Sequence, residues 1–162
     1  MLFIAEIGLN HNGNFSLAYE MIRQAKAAGA DVAKFQLGWR DKEGELNRIT
    51  PEILDNIFRW CDYIEIEPLV SIFTPEAWEM ARTRPFKRFK IAPRTVIDQT
   101  DLARAILDEG KETFVSLGMW NQDGLPFNAP NARYLWCRSL YPTAPWISPI
   151  CRRTLASLLT LD

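Results

Sequence analysis

The sequence predicts an α/β fold on a parallel sheet, of the (β/α)8 TIM-barrel type but incomplete, with about six strands present. Three observations carry this expectation. Short apolar runs alternate with segments of helical period, polar residues recur where those runs end, and no G-x-G-x-x-G follows the first strand, where "GLNHNG" has two glycines at the wrong spacing. Strands alternating with helices at short spacing require parallel pairing through right-handed crossovers. An open doubly wound sheet satisfies that too, but the missing glycine fingerprint argues against a dinucleotide-binding sheet. A barrel also explains the polar residues, because its strand ends converge on one mouth.

The elements follow in order. "LFIAEIG" is the first strand and "SLAYEMIRQAKAAG" the first helix, with Leu17, Met21, Ala25 and Ala28 near helical spacing, Ser16 as N-cap and Gly29 as stop. "VAKFQLG" is the second strand, and its helix "TPEILDNIFRWCDYI" has Thr50 as cap, Pro51 at the first position and Ile53, Ile57 and Cys61 along one face. "PLVSIF" and "TPEAWEMAR" repeat the unit, with Thr74 and Pro75 repeating the cap-then-proline signal. "RFKIA" is the fourth strand, "TDLARAILDEG" its helix ending at Gly110, "TFVSLG" the fifth strand and "ARYLWCRSL" the sixth.

Between the fifth and sixth strands, "GMWNQDGLPFNAPNA" carries Gly, Pro and Asn throughout without helical period, so the fifth helix is expected to be absent. A complete barrel takes eight strands and about 250 residues. The expected organisation is therefore a partial barrel over residues 1–145 and a divergent tail over 146–162, where "SPICRRTLASLLTLD" reads as a short amphipathic helix starting at Ser148 and Pro149.

Composition narrows the function classes. With 48% hydrophobic residues the chain can bury a core, and 19 Lys and Arg against 20 Asp and Glu leave no basic block. Nucleic acid and anionic membranes are thus not expected as partners. No apolar run approaches the roughly 20 residues that span a bilayer, and Glu6 comes too early for a signal peptide, so a cytoplasmic protein is expected. Cys61, Cys137 and Cys151 lack paired spacing and read as buried reduced thiols. His11 is the only histidine, so neither a histidine metal site nor a Ser or Cys triad is completed except through it.

Two ionisable residues stand inside apolar strands: Glu6 in "FIAEIG" and Lys34 in "ADVAKFQLG". Burying an unpaired charge costs several kcal/mol. Alternation puts Leu2, Ile4 and Glu6 on one face, Val32, Lys34 and Gln36 on one face, and Lys90 out of phase with Phe89 and Ile91. If these faces meet at a barrel mouth, one carboxylate against two ammoniums leaves a formal charge of +1, which suits a small anion. Each residue has a plainer reading. Glu6 and Lys34 pair across adjacent strands, Thr74 caps a helix, and Ser116 before Gly118 ends a strand rather than offering a hydroxyl to an anion. His11, flanked by Asn10 and Asn12 on the first βα loop, either contacts substrate or faces solvent. The locally basic "ARTRPFKRFK" reads as a solvated turn.

The motifs "IAEIGLNHNG", "GADVAKFQ", "SIFTPE", "FKIA", "VSLGM" and "LWCRSLYPTAP" occur in an order that resembles the N-acetylneuraminate (sialic acid) synthase family, over about residues 2–145. The first two are specific and the later ones short. The resemblance implies a (β/α)8 barrel that condenses phosphoenolpyruvate with an N-acyl amino sugar, typically N-acetylmannosamine, and releases phosphate. It also implies a divalent metal, Mn2+ or Mg2+, and a homodimer whose C-terminal antifreeze-like domain reaches the partner's site. By motif, Glu6 matches the acid that handles protons or hydroxyls at the reacting carbon. Lys34 and Lys90 match the lysines that hold phosphoenolpyruvate, with Gln36 beside the first; Thr74 and Ser116 match hydroxyls on that ligand, and Tyr141 a tyrosine near the sugar. In this chemistry the enolpyruvyl carbon attacks an aldehyde, water adds to an oxocarbenium-like centre, and phosphate leaves.

The departures shape a second expectation. "IAPRT" places Pro93 and Arg94 where the family usually has Ser-Gly-Glu, Leu117 stands for a Thr, and Trp136 and Arg138 replace the customary His and Thr around Cys137. The sequence ends before the family's Ser-Asp-His-Thr segment and second metal-binding histidine, so the metal ligands are expected to be missing and turnover by this chain to be impaired. The alternatives are a non-catalytic sugar- or phosphate-binding module, and an incomplete barrel that assembles with a second chain.

Overall fold

The computed structural model describes residues 1–137 and 139. Among them run β1 (Ile4–Gly8), α1 (Phe15–Ala27), β2 (Val32–Leu37), α2 (Pro51–Ile64), β3 (Glu67–Ile72) and α3 (Pro75–Arg82). They are followed by β4 (Arg88–Ile91), α4 (Pro93–Asp98), α5 (Thr100–Asp108), β5 (Glu112–Ser116) and β6 (Ala132–Leu135). The six strands form one sheet in sequential order, and the expected barrel-type α/β architecture is what is found. The chain divides into two compact units, Met1–Phe89 and Lys90–Asp162. The expected boundary at 145/146, the tail helix, Cys151 and Tyr141 lie outside the described residues.

In the first unit the strands pair in parallel, with Ile4 opposite Val32 and Val32 opposite Glu67. Phe35, Leu37, Val70 and Ile72 share the sheet face that packs with Ile22, Leu54 and Ile57 of α1 and α2, all essentially excluded from water. The α2 helix starts as expected: Thr50 Oγ1 accepts from the Ile53 amide and Pro51 occupies the first position. Leu54, Ile57 and Cys61 are its buried stripe, so Leu54 rather than Ile53 faces inward.

The expectation for α1 needs correction. Its cap is Asn14, whose side chain accepts from the Leu17 amide at 3.2 Å, not Ser16. Starting the helix at Phe15 puts Ala18, Ile22 and Ala25 on the inner face and leaves Leu17 exposed. The basic stretch is not simply a solvated turn either. Phe86 is buried against Phe58 and Phe89, Arg84 pairs with Asp55 at 2.8 Å, and Arg88 pairs with Glu67 at 2.7 Å.

In the second unit, α4 precedes the expected helix. Pro93 opens it at a position where a missing amide proton costs nothing, and Thr95 and Val96 are buried. α5 then buries Leu102, Ala103, Ile106 and Leu107. No helix lies between β5 and β6 among the described residues, as "GMWNQDGLPFNAPNA" predicts. That connection is tied by polar groups instead: Trp120 Nε1 donates to the Gly124 carbonyl at 2.8 Å, and the Asn131 amide donates to the Leu107 and Lys111 carbonyls.

Candidate active site at the ends of the first strands

Register decides which side chains meet. Glu6 stands opposite Lys34, Lys34 opposite Leu69, and Gln36 opposite Ser71. Directly opposed residues of parallel strands point the same way, so Glu6, Lys34, Gln36 and Ser71 share the face away from the Phe35 and Val70 core. Lys34 lies at mid-strand, and its side chain is only 6% exposed. It forms an ion pair with the Glu6 carboxylate, and Nζ also donates to Ser71 Oγ at 3.5 Å. The two charges that looked costly in the sequence therefore satisfy each other. An ammonium carries three protons; Glu6 and Ser71 take two.

A register shift between Glu6 and Gly8 bends the end of β1, and Gly8 takes φ +54° there. A Cβ at Gly8 would lie 3.0 Å from Glu6 Oε1 and 3.6 Å from Gln36 Nε2. Glycine leaves room for the carboxylate to fold back and puts the Gln36 amide at the same spot. Thr74 caps α3, its Oγ1 accepting from the Ala77 amide at 3.2 Å. That bond uses a lone pair and leaves the hydroxyl proton for another acceptor. Gly38, one residue past β2, abuts Thr74: a Cβ there would be 2.8 Å from Oγ1.

His11 corrects one expectation, for it does not face solvent. Its exposure is zero, its ring lies 5.0 Å from Phe15 and 6.3 Å from Phe35, and Nδ1 accepts from the Gly13 amide at 3.2 Å. Phe35, beside which the histidine lies, points to the face of β2 opposite to Lys34. Nε2 has no hydrogen-bond partner among the described residues, and burial pushes the imidazole pKa down. Asn10, beside it, is exposed on the loop.

In the second unit, Lys90 is the half-buried third residue of β4, and Ser116 is the buried last residue of β5, paired with Leu135. A cleft of about 350 Å³ lined by Val96, Ile97, Arg104, Trp120 and Phe127 includes none of the sequence-predicted site residues. Ser71 is the site residue that sequence reasoning missed. Its signal was present as a lone polar side chain in "PLVSIF", two residues from Leu69 and so on the same face.

For a divalent metal, the test is the donor set. Among the described residues no three His, Cys, Asp or Glu side chains gather, and His11 is enclosed by aromatic rings. The described residues do not make a metal site, and no step is assigned to one.

Fold and site together define a class: a parallel barrel-type α/β chain whose first strands carry an ionised cluster on one face. No protein-family model matches the chain. It is 28% identical to human N-acetylneuraminate-9-phosphate synthase, over 88% of this chain and 48% of that protein. It is 29% identical to pseudaminic acid synthase of Campylobacter jejuni, over 89% of this chain and 51% of that protein. The chain spans about half the length of the curated relatives it matches. The crystal structure of N-acetylneuraminic acid synthetase from Leptospira borgpetersenii superposes with a TM-score of 0.73 at 24% identity, over 89% of this chain and 56% of that one, which shows the fold. The resemblance to the N-acetylneuraminate synthase family thus holds over most of the chain. No helix among the described residues is long and apolar enough to cross a membrane.

Proposed function

We propose that this chain carries the phosphoenolpyruvate-handling part of a sialic acid synthase-like reaction, in which phosphoenolpyruvate condenses with an N-acyl amino sugar and phosphate is released. The observation that carries the reading is the buried Lys34 ammonium held on the same face as Glu6 and Gln36. When Glu6 disengages from it, the buried Lys34 ammonium attracts a small anion, because little water screens it. Gln36, on the same face, adds amide protons that orient an anion without adding charge, and Thr74 enters through its "FTPE" motif. Glu6, nearly half exposed, is the carboxylate at the cluster among the described residues and is assigned the proton transfers. Lys90 in "FKIA" and Ser116 in "VSLGM" enter the proposal through their motifs alone. A cytoplasmic homodimer goes with this reading.

The test is a calorimetric titration of the purified chain with phosphoenolpyruvate, alongside Lys34→Met, followed by a phosphate-release assay with N-acetylmannosamine and Mn2+. Saturable binding weakened at least about tenfold in Lys34→Met is expected. Absent binding, or binding indifferent to Lys34, overturns the proposal. Binding with no phosphate release points to a non-catalytic anion-binding module instead.

A further inference from the structure

Ser71 is 2% exposed on β3, and its hydroxyl lies on the face shared by Glu6, Lys34 and Gln36. Interior layers of parallel barrels are filled mainly by bulky branched side chains. A serine there leaves space and brings a hydroxyl that must be partnered. The partner is Lys34 Nζ, at 3.5 Å. Register explains the direction: Lys34 opposes Leu69, whereas Ser71 is two residues further along β3. A lysine reaching Ser71 therefore leans along the sheet toward the strand ends.

The two contacts of the ammonium differ in kind. Glu6 cancels its charge, and on the reading above Glu6 must also move protons. Ser71 offers a neutral lone pair, which fixes the ammonium without cancelling it. We propose that Ser71 is a positioning residue that holds Lys34 toward the strand ends for a phosphate-bearing ligand. This rests on the reading that Lys34 receives the anion. Ser71 then keeps the long, otherwise mobile lysine stem in place when Glu6 disengages.

Ser71→Thr and Ser71→Val have the same shape and differ by the hydroxyl, so packing alone treats them alike. Ser71→Ala removes the hydroxyl without adding bulk, which keeps the comparison valid if valine disturbs folding. Titrated with phosphoenolpyruvate, Ser71→Thr is expected within about twofold of the wild type, and Ser71→Val and Ser71→Ala about tenfold weaker. Equal weakening by Thr and Val, or an alanine variant that binds like the wild type, overturns the role of Ser71. Lys34→Met run in parallel separates the two failures. If it binds like the wild type the anion site itself is wrong, whereas a Lys34 effect without a hydroxyl effect removes only the positioning role.

Discussion

Lys34 and Glu6 are register partners joined in an ion pair, yet the lysine side chain is 6% exposed and the glutamate 46%. The desolvation cost falls almost wholly on the ammonium. Among the described residues, removing its partner leaves a buried cation with the Ser71 hydroxyl alone, while removing the cation leaves a carboxylate that water already reaches. Glu6→Ala is expected to lower stability by about 2 kcal/mol, below the range for fully buried pairs because one end is wet. Lys34→Met is expected to stay within about 1 kcal/mol of the wild type. Urea unfolding of the two variants checks the order, and the reverse order would show that water reaches Nζ.

Gly38 and Thr74 make a second coupled pair. Gly38 has φ +79°, and a Cβ there would come within 2.8 Å of Thr74 Oγ1 and 3.0 Å of Ala77 Cβ. Gly38→Ala therefore meets both left-handed backbone strain and the α3 cap, for a loss of about 2 kcal/mol. Thr74→Ala alone removes the cap and costs about 1 kcal/mol. Because the alanine already displaces the cap, Thr74→Ala in the Gly38→Ala background should cost less than it does alone. Additive losses in a double-mutant cycle would show that the cap survives at position 74.

Cys61 is fully buried on the inner stripe of α2, and burial pushes its thiol pKa up to about 12. At pH 8 almost no thiolate exists to react. Iodoacetamide should leave Cys61 unmodified in the folded protein and label it fully in guanidinium, as read by peptide mass mapping. Labelling of the native protein at the rate of a free thiol would mean that α2 opens readily.

The strands and most helices were legible because caps, prolines and apolar spacing agree locally. Thr50–Pro51 and Thr74–Pro75 mark helix starts by chemistry that needs no tertiary context. The misread parts are those where neighbours decide. Asn14 and Ser16 are both competent caps, and only the packing of Ala18 and Ile22 selects the former. The short α4 has too few residues to show a period, and Pro93 reads equally as a breaker. At the site, Glu6 and Lys34 were visible as charges in apolar runs, but their pairing depends on the β1–β2 register, and Ser71 on the β2–β3 register. At position 11 the sequence leaves substrate contact and solvent exposure both open, because the burial of the ring beside Phe15 and Phe35 depends on tertiary packing.

That enclosure of His11 makes stability depend on pH in a definite direction. Burial lowers its folded-state pKa from the ordinary 6.5, so below that pH the unfolded chain takes up a proton that the native protein refuses. The contribution is fully present above 6.5, shrinks as pH falls below 6.5 toward the folded pKa, and then levels off. His11→Gln keeps a polar side chain of similar reach that does not titrate. Urea midpoints measured from pH 7.5 downward should fall more steeply for the wild type than for His11→Gln once pH drops below 6.5. Parallel curves would mean that the β1–α1 loop lets water reach the imidazole. A steeper wild-type curve assigns the proton taken up on unfolding to the His11 imidazole, because the Glu6–Lys34 pair is the same in both proteins.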